Sequence, residues 1–335
     1  MSKMVLVTGG AGFIGVHVSS YLLESGHSVV ILDDLSGGLR ENVPKQAVFI
    51  QGSITDETLV KQLFKKYQFT YVYHLAAYAA EGLSPYIRKF NYENNLIGSI
   101  NLINASVNYE VSCFVFTSSI AVYGSLPSPY SEAQHPLPKD PYGIAKLAVE
   151  QDLKNAYAQF GLNYIIFRPH NVYGPLQNIN DPYRNVIGIF MNQILKDQPL
   201  TIFGDGTQTR AFSYIDDVAP YIAKATAYAK MYNQTFNIGA DKSYTVKALA
   251  GAVQKAMSSD MAITYLKERL EVAHATADHS LFKKVFNPKP TVSLDSGLSQ
   301  MARWVKTQDC QKSKRFDKIE ITKNLPETWN LKPGT

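Results

Sequence analysis

One short stretch narrows the folds open to this 335-residue chain more than any other: Thr8-Gly9-Gly10-Ala11-Gly12-Phe13-Ile14-Gly15, set directly after an apolar run at 5–8. The run reads as a β-strand, and Ile14, Val18, Leu22 and Leu23 place a helix with one apolar side behind the glycines. Glycine at 9 permits a tight turn, glycine at 12 lets backbone approach a pyrophosphate, and glycine at 15 lets the helix sit close against the sheet. The first N–H groups of such a helix have no intrahelical partner and point at the phosphate charge. Asp33 ends the second strand, eighteen residues past Gly15, where a carboxylate accepts hydrogen bonds from an adenosine ribose. Asp34 beside it repels a 2′-phosphate, which favours NAD over NADP unless Arg40 swings in.

The same alternation continues along the chain. Runs at 5–8, 28–32, 48–51, 71–75 and 113–117 read as strands, and segments around 14–25, 56–67 and 94–108 carry helical spacing. Strands that are apolar without interruption need cover on both faces, so the fold class is α/β, a Rossmann-type doubly wound parallel sheet. A helix over 142–160 and a strand over 164–168 extend it. After about 175, loops rich in Asn, Asp, Pro and Gly alternate with shorter helices near 183–196, 217–230 and 245–257. The expected division is a mainly NAD-binding domain over 1–175, a smaller α/β substrate-binding region over 176–305, and a polar, solvated tail over 306–335. The strands at 164–168 and 234–238 can return to the main sheet. No internal repeat is visible.

Composition removes several function classes. A hydrophobic content of 45% with 18% charged residues is that of an ordinary folded protein and excludes wholesale disorder. The net charge of +5 is spread thinly, with no basic, aromatic-interleaved run suited to nucleic acid. Cys113 and Cys310 stand alone, without the spacing of a metal or redox site, which fits a reduced cytoplasmic setting. No run approaches the roughly 20 apolar residues of a membrane span, and no signal peptide is expected.

A second constellation carries chemistry. Tyr142 and Lys146 stand four apart at the start of the 142–160 helix, so phenol and ammonium share one side. A phenol with a reference pKa of about 10 is a weak base at neutral pH, but a nearby ammonium and a cationic nicotinamide favour the phenolate. Thr117-Ser118-Ser119 leave the carboxyl end of a parallel strand, where open α/β sheets bind ligands, and Ser119 can bond a reacting oxygen. Ser118 suits a strand terminus equally well.

With these residues in view, the chain resembles the extended short-chain dehydrogenases/reductases of the NAD-dependent sugar-nucleotide epimerase/dehydratase family, and in motif the UDP-hexose 4-epimerases above all. The likeness runs over roughly 3–305, through Thr8–Gly15, His74-Leu75-Ala76-Ala77, 117–124, 142–146 and 168–175. It implies a catalytic set of Ser119, Tyr142 and Lys146. It implies cofactor contacts at Gly9, Gly12, Phe13, Ile14, Gly15, Asp33, Ser53, Ile54, Ala76, Ala77 and Asn95, with Tyr142 and Lys146 joining them. Substrate contacts follow at Ser119, Asn171, Arg210 and Arg269, the last three on the diphosphate of a nucleotide-sugar, UDP-linked by preference. It also implies a homodimer paired through helices near 94–108 and 142–160.

The chain departs from the family in places. Gly52-Ser53 replaces the usual Gly-Asp, so an adenine contact there is neutral or absent, and Arg269-Leu270-Glu271-Val272 replaces Arg-x-Gly-Asp. His74 is expected to pack beneath the cofactor loop, while Glu81 faces either the sugar or the solvent. Ser119-Ile120-Ala121 lacks the Thr-Asp-Glu expected of a 4,6-dehydratase, and Ile120 cannot act as the Cys of 3,5-epimerase relatives. Inversion at C4 of a nucleotide-linked sugar, of the UDP-glucose/UDP-galactose type, is the reaction left. A nucleotide-uronate decarboxylase and a non-catalytic NAD-sensing regulator are the alternatives.

Overall fold

The structure is a computed structural model, and it describes residues 2–268, 272–308, 316–326 and 329. Successive strand side chains point to opposite faces, and β1 (Met4–Thr8) uses this to feed two layers. Val5 and Val7 enter one core and Leu6 the other. After α1 (Phe13–Glu24), β2 (Ser28–Asp33) repeats the division, Val29 and Ile31 on one side and Val30 and Leu32 on the other. The chain goes on through β3 (Val48–Gln51), α2 (Glu57–Tyr67), β4 (Tyr71–His74), α3 (Arg88–Tyr92), α4 (Gly98–Asn108), β5 (Cys113–Thr117), α5 (Pro141–Phe160) and β6 (Tyr164–Pro169). Helices α2, α4 and α5 press Phe64, Leu102, Val149 and Leu153 onto the Leu6 side, while α1 packs Val18 and Leu22 onto the Val5 side.

Downstream come β7 (Val172–Tyr173), α6 (Val186–Leu195), β8 (Leu200–Phe203), β9 (Thr209–Ala211), β10 (Ser213–Tyr214), α7 (Ala219–Lys224) and β11 (Gln234–Ile238). They are followed by β12 (Ser243–Thr245), α8 (Val246–Met257), β13 (Ile263–Leu266), β14 (His274–Ala275), α9 (Ser280–Phe286) and α10 (Leu294–Val305). Seven parallel strands form the main sheet in the order β11-β6-β5-β4-β1-β2-β3. Chain order reverses between β1 and β4, and above that reversal the carboxyl strand ends leave a crevice. The expected return of 164–168 and 234–238 to the sheet is observed as β6 and β11.

Helix boundaries differ in informative ways. The helix expected near 94 starts at Arg88 and passes through a π-helical turn, Glu93–Ile97, into α4. The segment expected near 217–230 holds only a short helix and 3₁₀ turns, and α9 and α10 were not anticipated. The described part of the tail is mostly exposed, but four of its apolar residues are packed down. Phe316, Ile319, Leu325 and Trp329 pack on Ala80, Leu83 and Ile87, and Trp329 is only 6% exposed. Cys113 is a buried free thiol, raised by burial, and Cys310 lies outside the described residues. Among the described residues no helix is long and apolar enough to cross a membrane, and no group of three or more His, Cys, Asp or Glu is placed to hold a metal.

Candidate active site

The glycine loop is built as its spacing requires. Gly9 has φ +70°, and a Cβ there would stand 2.6 Å from the Ala76 nitrogen. A Cβ on Gly15 would overlap the Gly9 carbonyl oxygen. On Gly12 a Cβ would meet only that same oxygen, at 3.2 Å, and otherwise project into open space. Such a cradle admits a pyrophosphate where a side chain would fill it, so the residues present fit NAD. Phe13 and Ile14 open α1, which has no side-chain cap.

Asp33 stands at the edge of this loop, 8% exposed. Its carboxylate accepts from Ala11 N at 3.0 Å and Leu35 N at 2.8 Å. Burial raises its pKa and those N–H groups hold it back. Ser53 is spent locally on Thr55, 2.8 Å between hydroxyls, and the Ile54 side chain is buried against Gly98. Arg40 lies over the Phe49 ring at 4.3 Å.

Across the crevice, Ala76 and Ala77 lie in the loop after β4, where Ala76 N donates to Thr8 Oγ1 at 3.4 Å. Below them His74 bonds Thr8 at 2.7 Å and Ser99 at 2.8 Å, and burial holds its pKa well below the ordinary value. It is packing, as expected. Asn95, in the π turn, accepts from Tyr78 N at 2.7 Å and donates to Tyr78 O and Asn91 Oδ1. Asn91 in turn donates to the Pro141 carbonyl at 2.9 Å. The two asparagines thus brace the cofactor loop against the start of the Tyr142 helix.

That start is sharply defined. Asp140 caps α5 by accepting from Gly143 N at 2.9 Å, Pro141 occupies the first turn, and Tyr142 N donates to Ser84 Oγ at 3.2 Å. Tyr142 and Lys146 then face the end of β5. Lys146 Nζ donates to the Thr117 carbonyl at 2.8 Å, 4.7 Å from the Phe116 ring centroid and 5.8 Å from that of Tyr142. The Ser119 hydroxyl, close enough to the Tyr142 phenol to lower its pKa, also accepts from Ala121 N at 3.1 Å through its Oγ. Burial, then the Glu81 charge, raise the phenol, and Ser119 opposes them. Burial brings Lys146 down to about 7, against the pull of Glu150.

Of the four expected substrate residues, the structure brings Asn171 and Arg210 together at Ala211, while Ser119 stands with Tyr142. Asn171, with φ +42°, donates to the Ala211 carbonyl at 2.9 Å. Arg210 holds the carbonyls of Thr209 and Ala273 at 2.8 and 3.0 Å and that of Val272 at 2.5 Å, so its guanidinium braces the stretch that enters β14. Its charge reaches Tyr130, which also feels Glu81. Glu81 is exposed, yet its charge reaches both Tyr142 and Tyr130, so it borders the sugar side and the solvent at once. Arg269 lies outside the described residues.

Three features escaped the sequence reading. Glu150, one helical turn past Lys146, takes Arg168 Nε at 2.9 Å and Ser118 Oγ at 2.5 Å, and Arg168 Nη1 reaches Tyr123 at 2.7 Å. The pair is fully buried and ties α5 to β5 and β6. Periodicity shows Glu150 only as a polar residue on a buried side. His170 is 3.0 Å from His279 and 3.2 Å from the Ala211 carbonyl, and burial lowers it to about 3, so it is a neutral structural imidazole. Arg184, a lone basic residue in a loop, gave no periodic signal.

Comparisons with known proteins agree with this geometry. A sequence model of the NAD dependent epimerase/dehydratase family matches residues 5–239. A putative UDP-glucose 4-epimerase from Methanocaldococcus jannaschii is 34% identical over 311 residues, covering 91% of this chain and 99% of that protein. A UDP-glucuronate 4-epimerase from Thermodesulfobacterium geofontis is 29% identical, with 90% and 95% covered. Among solved structures, the UDP-glucose 4-epimerase of Thermotoga maritima with UDP-glucose superposes with a TM-score of 0.86 at 35% identity, over 90% of this chain and 98% of that one.

Proposed function

The chain belongs to the NAD dependent epimerase/dehydratase family, with NAD as its cofactor, and from that premise we propose that it inverts C4 of a nucleotide-linked sugar of the UDP-glucose/UDP-galactose type. The observation that carries this reading is the closed set of Ser119, Tyr142 and Lys146 at the carboxyl end of β5, with Ile120 and Ala121 supplying no further acid or base. Bound NAD supplies the acceptor and donor of the hydride. Tyr142 takes the C4 hydroxyl proton and later returns it, Ser119 holds the reacting oxygen, and the Lys146 charge favours the phenolate. Both steps use one base, which suits a reaction that ends where it began in redox terms.

Asn171 and Arg210 are assigned to the diphosphate, with Arg269 as third partner. A diphosphate anchored away from the reacting carbon lets the 4-keto sugar turn without leaving. UDP is favoured because the relatives described above carry UDP-sugar names. Ile97 and Ile144, 50% and 41% exposed at the helices expected to pair, support a homodimer.

The test is to incubate purified protein with UDP-glucose, UDP-N-acetylglucosamine and UDP-glucuronate separately and follow the anomeric proton signals. Appearance of the galacto-configured product is the expected outcome. A pentose product with loss of carbon dioxide would transfer the case to decarboxylation, and inertness toward all three would remove the epimerase reading.

A further inference from the structure

Segment 176–185, between β7 and α6, has no part in the site assigned above, yet it lies across the cofactor crevice. One end is tied to the loop after β2. Asn42 Nδ2 donates to the Leu176 carbonyl at 3.3 Å, and Asn178 Nδ2 to the Gly37 carbonyl at 3.4 Å. Leu39 N of that loop donates to Ala11 O, within the glycine turn, at 3.0 Å. The other end is tied to the tail, where the Tyr183 ring packs on Trp329 at 5.4 Å and Tyr183 OH accepts from Phe316 N at 3.2 Å.

Arg184 occupies the middle of this crossing. Its Nε and Nη2 donate to Asp181 Oδ2 at 2.6 and 2.5 Å. Its guanidinium carbon is 5.2 Å from the Tyr78 ring centroid, and a Cβ on Gly37 would stand 2.7 Å from Nη2. Gly37 follows β2 and Tyr78 follows β4, and β1 runs between those two strands. The guanidinium therefore bridges the carboxyl end of β1, above the turn of Gly9 to Gly15. Its charge also reaches Tyr142.

We propose that Arg184 is the clasp over the cofactor's diphosphate, and that 176–185 is the strap that keeps the dinucleotide in place. Asp181 holds one side of the fork, which leaves the other side to turn toward phosphate oxygens below. A guanidinium suits this place because its planar fork bonds two phosphate oxygens at once, where an ammonium acts as a point charge. The helix N-terminus of α1 approaches the diphosphate from one side and Arg184 closes it from the other. Retention matters in a reaction that needs the same dinucleotide in two successive steps. Arg184 is a positioning residue, and its role does not depend on which sugar is turned over.

The test is a binding titration on the full chain without any sugar, using NAD, ADP-ribose, adenosine and UDP as probes. Arg184→Gln should weaken NAD and ADP-ribose by about tenfold or more and flatten the salt dependence of both, because a charge-assisted contact is lost. Adenosine, which has no diphosphate, and UDP should bind as to the wild type, and Arg184→Lys should recover part of the loss. Unchanged NAD affinity overturns the proposal, and so does an equal loss for adenosine, which would mean a distorted groove. Loss of UDP binding in place of NAD binding would put Arg184 on the substrate. Should Arg184→Gln fail to fold, Arg184→Lys decides, since wild-type NAD affinity in it would exclude a bidentate clasp. Because no turnover is measured, the outcome is independent of the epimerase assignment.

Discussion

Tyr142 and Lys146 sit in surroundings that oppose the charges their chemistry needs. The phenol is raised by burial and by Glu81, and the ammonium is brought down to about 7 by burial. Tyr142→Phe should retain the fold and NAD binding and lower turnover by about a hundredfold or more, the usual scale for loss of a general base. A near-normal rate in that variant would place the base elsewhere, with Glu81, whose charge reaches the phenol, the next carboxylate to test. Lys146 makes a separate prediction about stability. Its folded pKa lies below its unfolded value, so the unfolded chain holds more protons between about 7 and 10.5 and stability rises with pH across that window. The cost of the buried ammonium is complete below about pH 7. Lys146→Met should therefore raise the melting temperature, more at pH 6 than at pH 10, while abolishing turnover. An equal change at both pH values would show that Lys146 is not titrating there. Both residues were legible because helical spacing and strand-end position are local properties. Arg184 was not, because its meaning comes from two loops separated from it by more than a hundred residues of chain.

Elements were legible where side-chain alternation is forced and illegible where packing is long-range. Strands β1 to β6 were visible because each must serve two core layers. The tail's Lys-rich composition agrees with its exposed residues but hides its anchoring, because Phe316, Ile319, Leu325 and Trp329 form an apolar side only against 80–87. Its polar residues also work. Glu320 accepts from Lys89 N at 2.7 Å and Phe90 N at 2.8 Å, which caps the helical run through α3 and α4. Its own backbone N–H donates to the Tyr86 carbonyl at 2.8 Å. Glu320→Ala should cost about 1 kcal/mol, the usual worth of an N-terminal cap, read as severalfold faster hydrogen exchange at the amides of 88–92. Glu320→Gln keeps one acceptor oxygen and should recover part. Wild-type exchange rates in Glu320→Ala would mean that the tail rests on the helix without holding it.

At the scale of the molecule, the division into a cofactor part and a substrate part does not correspond to two cores. Val5, Val7 and Ile31 of the sheet share one continuous cluster with Phe190 of α6, Leu249 and Val253 of α8, and Leu298 and Met301 of α10. A boundary near 175 follows the change in sequence texture, and the expected return of 234–238 to the sheet, as β11 beside β6, is compatible with it; what texture does not record is that the later helices share the core of the first strands. A shared core has a thermodynamic consequence. Ligand bound to the folded state stabilises whatever unfolds as a unit with its site, by about 2.7 kcal/mol at a free concentration one hundred times the dissociation constant. NAD contacts are assigned to the first half of the chain, yet NAD should shift the melting of the whole chain as one transition. Two probes decide this: Trp304 in α10, at the far end of the sequence, and far-ultraviolet circular dichroism for the sheet and helices together. Coincident midpoints that rise together with NAD are the expected result. A Trp304 transition that stays fixed while the circular dichroism midpoint moves would show the later helices unfolding on their own, and the single core would then be a feature of packing without being a unit of stability.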